Sequence, residues 1–143
     1  MVKNTKMQAE FNRDIESLKD IFSFIQSFMD KEKLDQDLES PLNLVIEELF
    51  TNMLKYNPGN KKKIEIDLKK EDDRISIILT EFDVEPFDIR TVAEYNARQE
   101  LKKRPEGKVG LHLVKKYVDD IDYEYNNRIS KIRLIKNLRT LHA

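Results

Sequence analysis

The feature that most constrains the fold is a pair of adjoining segments in which apolar residues alternate with polar ones. The alternating apolar residues are Ile64, Ile66 and Leu68 in the first segment and Ile75, Ile77 and Leu79 in the second. A period of two is typical of a half-buried β-strand, and the polar bend at residues 71–73 joins the two strands as a hairpin. Because hairpins pair neighbouring strands in opposite directions, we expect a largely antiparallel sheet.

Three other segments carry apolar residues at helical spacing. The first follows Asp14, which is predicted to be its N-cap. The second begins at Ser40 and Pro41 and ends at residues 57–59, where proline and glycine stop a helix. The third spans residues 111–121. Short strands precede the first helix and follow the third, so the predicted order is β-α-α-β-β-loop-α-β-β.

Three amphipathic helices need a sheet face to cover. The predicted fold class is therefore α/β: a two-layer sandwich in which a mainly antiparallel mixed sheet carries three helices on one face. The residues predicted to share its core are Ile46, Leu49, Ile66, Ile77, Val114 and Leu134.

The composition is typical of one globular domain, and residues 1–143 are predicted to form it. Apolar residues make up 39% of the chain and charged residues 37%. The 26 basic and 27 acidic side chains nearly cancel, which gives no sign of a nucleic-acid or anionic-membrane binder. Cysteine is absent, and no apolar stretch is long enough for a signal peptide or a spanning helix. We therefore expect a cytoplasmic location.

The second helix carries the first candidate site. At about 100° per residue, Glu48 and Asn52 lie one turn apart beside one edge of the apolar arc, and Glu47 falls on the opposite edge. A carboxylate and an amide in this arrangement suit a Mg²⁺-phosphate site. Asn52 would ligate the metal and Glu48 would orient or deprotonate an attacking hydroxyl. On the helical wheel alone, a solvated polar flank is the more common explanation.

The second candidate site opens the third helix. Gly107 and Gly110 lie three residues apart, and glycines at a helix start let backbone N–H groups approach phosphate oxygens closely. Glycine at this position also serves as a simple cap or as a tight turn after Pro105. Taken alone, the cluster therefore leaves both interpretations open.

Together the two clusters resemble the bacterial anti-sigma factor and serine-protein kinase family, a branch of the histidine-kinase-like ATPase superfamily. Its E-E-L-x-x-N motif, followed by an aromatic residue or histidine, is similar to residues 47–56. Its R-P-x-G-G-x-G-L-H-L-V-x-K motif is similar to residues 104–116, with Lys108 where the second glycine is usual. Residues 86–88 match the segment between the two motifs. The resemblance covers nearly the whole chain.

This resemblance implies a protein that binds ATP and Mg²⁺ under a lid at about residues 90–107. Glu48 would be the catalytic base and Asn52 the Mg²⁺ ligand. The nucleotide-binding residues would be Asn52, Asp83, Phe87, Gly107, Lys108, Val109, Gly110 and Leu111. The implied partners are a sigma factor or similar regulator and an antagonist protein that is phosphorylated on serine. A homodimer is also implied.

One motif departs from the family pattern D-x-G-x-P-F, in which the aspartate accepts a hydrogen bond from the adenine amino group. Aligned on Pro86, Phe82 occupies the aspartate position and Val84 the glycine position. Asp83 or Glu81 supplies a carboxylate only after a backbone shift. A lost acceptor weakens binding and relaxes base discrimination. This alignment predicts weak Mg²⁺-ATP binding with poor preference over GTP, restored by Phe82→Asp with Val84→Gly.

Two hypotheses follow for the function. The first is an anti-sigma-type regulator that binds Mg²⁺-ATP and phosphorylates a serine of an antagonist to control partner exchange. The alternative is a nucleotide-independent binding module with a degenerate ATPase fold, which acts by sequestration alone.

Overall fold

The structure is a computed structural model that describes residues 5–88 and 114–138. Within these residues the strands are β1 (Thr5–Phe11), β2 (Ile64–Glu71), β3 (Arg74–Phe82), β4 (Asp120–Asn126) and β5 (Ile129–Asn137). The helices are α1 (Ser17–Lys31) and α2 (Glu39–Tyr56), and one turn of 3-10 helix (Gln36–Leu38) precedes α2. Residues 114–117 are also helical and belong to the predicted third helix. The predicted order of helices and strands is therefore confirmed, but the third helix ends at Tyr117 and Ile121, predicted to belong to it, lies on β4. The predicted loop before that helix lies outside the described residues.

The strands form one open sheet in the order β1-β2-β3-β5-β4. Two of the pairings belong to hairpins, β2–β3 and β4–β5. In the other two, β1 pairs with β2 and β5 pairs with β3. Every pairing among the described strands is antiparallel. The antiparallel prediction is confirmed, while the parallel component of a mixed sheet is not found among these strands.

The core lies between the helices and one face of the sheet. On β3 the alternating residues Ile75, Ile77 and Leu79 are fully buried, and they form one apolar cluster with residues of α1 and α2. The predicted core residues are all buried: Ile46, Leu49, Ile66, Ile77, Val114 and Leu134. A single face is covered because a period of two directs alternate side chains of each strand to the same side.

The starts of both helices differ from the sequence prediction. Asp14 does not cap α1, which begins at Ser17; its carboxylate instead accepts a hydrogen bond from the Glu16 amide within the preceding turn. Helix α2 begins at Glu39 rather than after Ser40. Pro41 still lies in the first turn, where the missing N–H of proline leaves no hydrogen bond unmade.

The opposite face of the sheet is polar. Cross-strand neighbours of opposite charge meet there, with Asp122 opposite Arg133 and Glu124 opposite Lys131. Such pairs stabilise a solvated sheet face modestly. No helix within residues 5–88 and 114–138 is long and apolar enough to cross a membrane.

Candidate functional site

A small cavity lies between the last turns of α2 and the sheet, with a volume of about 20 Å³. This is enough for about one water molecule. The side chains of its wall that carry polar atoms are Asn52, Tyr56, Asn57, Glu81, Tyr123 and Ser130, and the others are apolar. These residues come from α2, the loop that follows it, and strands β3, β4 and β5. The fold therefore gathers polar groups from five parts of the chain around one point.

Asn52 is buried, with 6% of its surface exposed. Its Nδ2 atom donates to the backbone oxygen of Glu48 at 2.6 Å. Because a carbonyl oxygen only accepts, the amide nitrogen must face the helix and the Oδ1 atom must face away from it. Among the described residues nothing donates to Oδ1. Asn52 therefore presents a fixed oxygen acceptor beside the cavity, as a Mg²⁺ ligand requires.

Glu48 lies one turn before Asn52 and is half-buried. Burial raises the pKa of its carboxyl group, and the nearby charge of Glu47 raises it further. A raised pKa brings a carboxylate closer to the value that suits a general base at neutral pH. The backbone bond from Asn52 ties the two predicted site residues together on one helix flank. Glu48 itself is not among the residues that line the cavity.

Glu81 forms the floor of the cavity, and its side chain is 8% exposed. Two donors reach the same carboxylate oxygen, Oε2: the Arg13 guanidinium and the Asn57 amide, the latter at 3.1 Å. No described residue donates to the other oxygen, Oε1. Burial raises the pKa of Glu81, and the hydrogen bond and charge of Arg13 oppose that rise. The cavity therefore contains a buried carboxylate with one oxygen engaged and one open.

Arg13 is a residue that sequence reasoning missed. It follows β1, its side chain is 5% exposed, and it reaches beneath α2 to pair with Glu81. A signal did exist in the sequence. The alternation of Ile75, Ile77 and Leu79 continues to Glu81, which places a carboxylate on the buried face. A buried carboxylate requires a cationic or hydrogen-bonding partner. The pattern therefore indicates that Glu81 has such a partner but does not identify it.

The structure corrects the alignment of the adenine motif. Phe82, placed at the acceptor position by aligning on Pro86, lies on the opposite face of β3 from Glu81, because strand side chains alternate. Val84 does not form the tight turn; the left-handed residue is Asp83, with φ of 61°. The carboxylate and the left-handed turn are thus Glu81 and Asp83, two residues apart as in D-x-G. The weak binding expected from Phe82 loses its structural basis.

The other predicted contacts divide into three groups. Phe87 lines the cavity, 4.8 Å from the Tyr56 ring, and its amide donates to the Tyr123 hydroxyl at 2.8 Å. Asp83 does not line it; its exposed carboxylate accepts from Arg128 at 2.8 Å, and Arg128 holds the pKa of Asp83 below its usual value. The predicted phosphate cradle lies outside the described residues: Gly107, Lys108, Val109, Gly110 and Leu111. The predicted lid at residues 90–107 lies outside them too.

Comparisons with known proteins agree with this geometry. The family model described as the histidine kinase-like ATPase domain matches residues 11–136. Among solved structures, one match is a chain from the crystal structure of the SiaB-SiaC complex from Pseudomonas aeruginosa, with a TM-score of 0.63 and 10% identity. That match covers 90% of this chain and 88% of the other, and it shows a shared fold.

No curated protein sequence gives a significant match. The family model nevertheless includes both α2 and the cavity floor, and it extends to within a residue of the end of β5. The motif resemblance is therefore confirmed at this level. The chain belongs to the histidine kinase-like ATPase domain family.

Proposed function

We propose that this protein binds Mg²⁺-ATP at the cavity beside α2 and phosphorylates a serine of an antagonist protein to control partner exchange. One observation carries the proposal: Asn52 and Glu81 line the same cavity, and each keeps one oxygen to which no described residue donates. Acceptor oxygens that keep no donor are available to a ligand that supplies an N–H group or a metal. The site therefore fits a ligand that carries both an N–H group and a cation.

The three acidic and amide groups have separate roles in this proposal. Glu81 accepts a hydrogen bond from the adenine amino group, in place of the aspartate of the family motif. Asn52 offers Oδ1 to Mg²⁺, which when bound neutralises phosphate charge. Glu48, with its raised pKa, accepts the proton of the attacking serine hydroxyl. Because Glu81 takes the acceptor position, we expect ATP to be preferred over GTP.

A purine is larger than the cavity, so part of the wall must move for it to enter. Phe87 is the exposed member of the wall, at 39%. It is held by a ring contact with Tyr56 and one hydrogen bond to Tyr123. Withdrawal of Phe87 would break this ring contact and this hydrogen bond and open the cavity above Glu81.

The small size of the cavity with Phe87 in its wall is also the observation that favours the alternative function. If Phe87 stays in place, the protein is a nucleotide-independent module that acts by sequestration. In either case we propose a protein partner. The SiaB-SiaC neighbour was solved as a complex, and the antagonist, a sigma factor or similar regulator, and a second copy of the chain are the proposed partners.

Calorimetric titration of Mg²⁺-ATP into wild type, Asn52→Ala and Asn43→Ala separates these functions. Loss of the Asn52 oxygen should weaken Mg²⁺-dependent binding by about 5–150-fold, equivalent to roughly 1–3 kcal/mol. Asn43 is the matched control, since it lies on the same helix and does not line the cavity. If wild type binds no nucleotide, the sequestration module is the correct function. If Asn43→Ala weakens binding as much as Asn52→Ala, the nucleotide site is elsewhere.

A further inference from the structure

Arg13 is anchored at three points beneath the cavity. Its Nε atom donates to the backbone oxygen of Lys62 at 3.0 Å, and its Nη1 atom donates to that of Met53 at 3.2 Å. Its Nη2 atom pairs with the Glu81 carboxylate. All three guanidinium nitrogens are therefore engaged, and the plane of the group is fixed. A fixed guanidinium fixes in turn the carboxylate that it holds.

The two oxygens of Glu81 are unequal because of this arrangement. Oε2 accepts from both Arg13 and Asn57, whereas Oε1 receives no donor from the described residues. Because Arg13 and Asn57 both donate to Oε2, Oε1 remains for a ligand. Without Arg13, only Asn57 would hold the carboxylate, and its plane could turn so that neither oxygen stays aimed at the ligand.

We propose that Arg13 is a positioning residue that sets the base specificity of the cleft, by holding Glu81 so that a single acceptor oxygen meets the purine. This inference rests on the proposed function, since it concerns the nucleotide of that same site. The ligand class is a nucleoside triphosphate with an exocyclic amino group on its base. Adenine presents an N–H donor at its 6-position, whereas hypoxanthine presents an oxygen there, and two facing acceptors are unfavourable.

The variant Glu81→Gln gives the sharpest test, because it is isosteric and converts one oxygen into a donor. Arg13 and Asn57 can only donate to the new side chain at the Oε2 position, so its carbonyl oxygen must face them. Its amino group then faces the base. The preference should invert: ATP should bind about 10-fold to 100-fold more weakly, and inosine triphosphate should become the tighter ligand.

Arg13→Met, alone and combined with Glu81→Gln, tests the positioning role. The measured quantity is the ratio of the inosine triphosphate dissociation constant to the ATP dissociation constant, determined by calorimetry with Mg²⁺. A merely structural role would weaken both nucleotides equally and leave the ratio unchanged. Positioning predicts that Arg13→Met lowers the ratio several-fold, and that the inversion caused by Glu81→Gln shrinks in the double variant.

Two further variants keep the test decisive. Arg13→Lys retains the charge but cannot donate to three acceptors in a fixed plane, so it should also reduce selectivity, even if Arg13→Met fails to fold. Arg133→Met is the matched control, because Arg133 lies on the polar face of the sheet, and it should leave the ratio unchanged.

The outcomes separate this inference from the proposed function. If wild type binds both nucleotides equally, or if Arg13→Met and Arg13→Lys keep the wild-type ratio, the positioning role is wrong while nucleotide binding stands. If wild type binds neither nucleotide, the proposed function and this inference both fail.

Discussion

Glu48 and Glu81 are carboxyl groups whose pKa is raised by burial, and both belong to the candidate site. Burial disfavours the ionised form of each, so each carries a cost that the rest of the fold must offset. Groups of this kind concentrate at functional sites because catalysis and recognition need them there. The two carboxyls differ in their partners: Glu81 has Arg13, whereas Glu48 has the like charge of Glu47 beside it.

The catalytic role of Glu48 gives one prediction. In an assay with a serine-bearing antagonist, Glu48→Gln should lower the phosphotransfer rate at least about 100-fold, which is the usual contribution of a positioned general base. Mg²⁺-ATP affinity should change little, since Glu48 does not line the cavity. Glu47→Gln is the matched control on the same helix. A larger loss in Glu47→Gln than in Glu48→Gln would exchange the roles of the two residues.

Glu48 also gives a prediction about stability and pH. Because its pKa is raised in the folded state, the unfolded chain releases this proton at lower pH than the native protein does. The stability contributed by the protonated group is present at pH below about 4 and is lost as the pH rises through the native pKa. Glu48→Gln stays neutral, so it should stabilise the protein more at pH 7 than at pH 4. Urea unfolding at both pH values measures this, and an equal difference at both would contradict it.

At the level of strands and helices, the alternation on β2 and β3 was sufficient to predict the hairpin, the antiparallel sheet and the buried residues. It succeeded because alternate residues of a strand face the same side of a sheet, so a period of two places one set of side chains in the core. The helix starts were predicted less well. Asp14 is a favourable N-cap by type, yet its carboxylate accepts a hydrogen bond from the Glu16 amide in the turn before α1 begins. Local capping preferences are weak compared with the packing that decides where a helix begins.

The alternation on β3 predicts unequal effects for two neighbouring isoleucines. Ile77 is fully buried in the core, whereas Ile78 is half-buried on the polar face of the sheet. Ile77→Ala should therefore lower the free energy of unfolding by about 2–5 kcal/mol, the usual cost of a buried cavity. Ile78→Ala is the matched control and should cost much less. Comparable losses in urea unfolding would mean that both sheet faces are covered.

The hairpin β4–β5 holds the segment that follows β3. Its turn has positive φ at Asn127 and Arg128, 51° and 63°, as a two-residue hairpin turn requires. The Arg128 carbonyl accepts from the Val84 amide at 3.1 Å, and the Tyr125 hydroxyl donates to the Val84 carbonyl at 2.8 Å. These bonds explain why Val84 is buried and why the left-handed turn falls at Asp83. The sequence could not place that turn, because the bonds join residues about forty positions apart.

Over the whole molecule, the candidate site joins parts of the chain that are distant in sequence. Arg13 follows β1, Asn52 lies on α2, Glu81 on β3 and Tyr123 on β4. The motifs predicted Asn52 and Glu48 because both lie on one helix, where spacing determines the face. They could not predict the pairing of Arg13 with Glu81, which are 68 residues apart. The sequence patterns also could not predict the order of the strands in the sheet, in which β5 lies between β3 and β4.

The central claim is that the cavity floored by Glu81 and flanked by Asn52 binds Mg²⁺-ATP. Amide hydrogen exchange with and without saturating Mg²⁺-ATP tests both binding and location, because a ligand that binds the native state suppresses local opening where it binds. We predict slower exchange in the last turns of α2 and at the end of β3, and little change in β1 or in the Glu71–Arg74 turn. Unchanged exchange throughout, or protection confined to β1 and that turn, would contradict the claim.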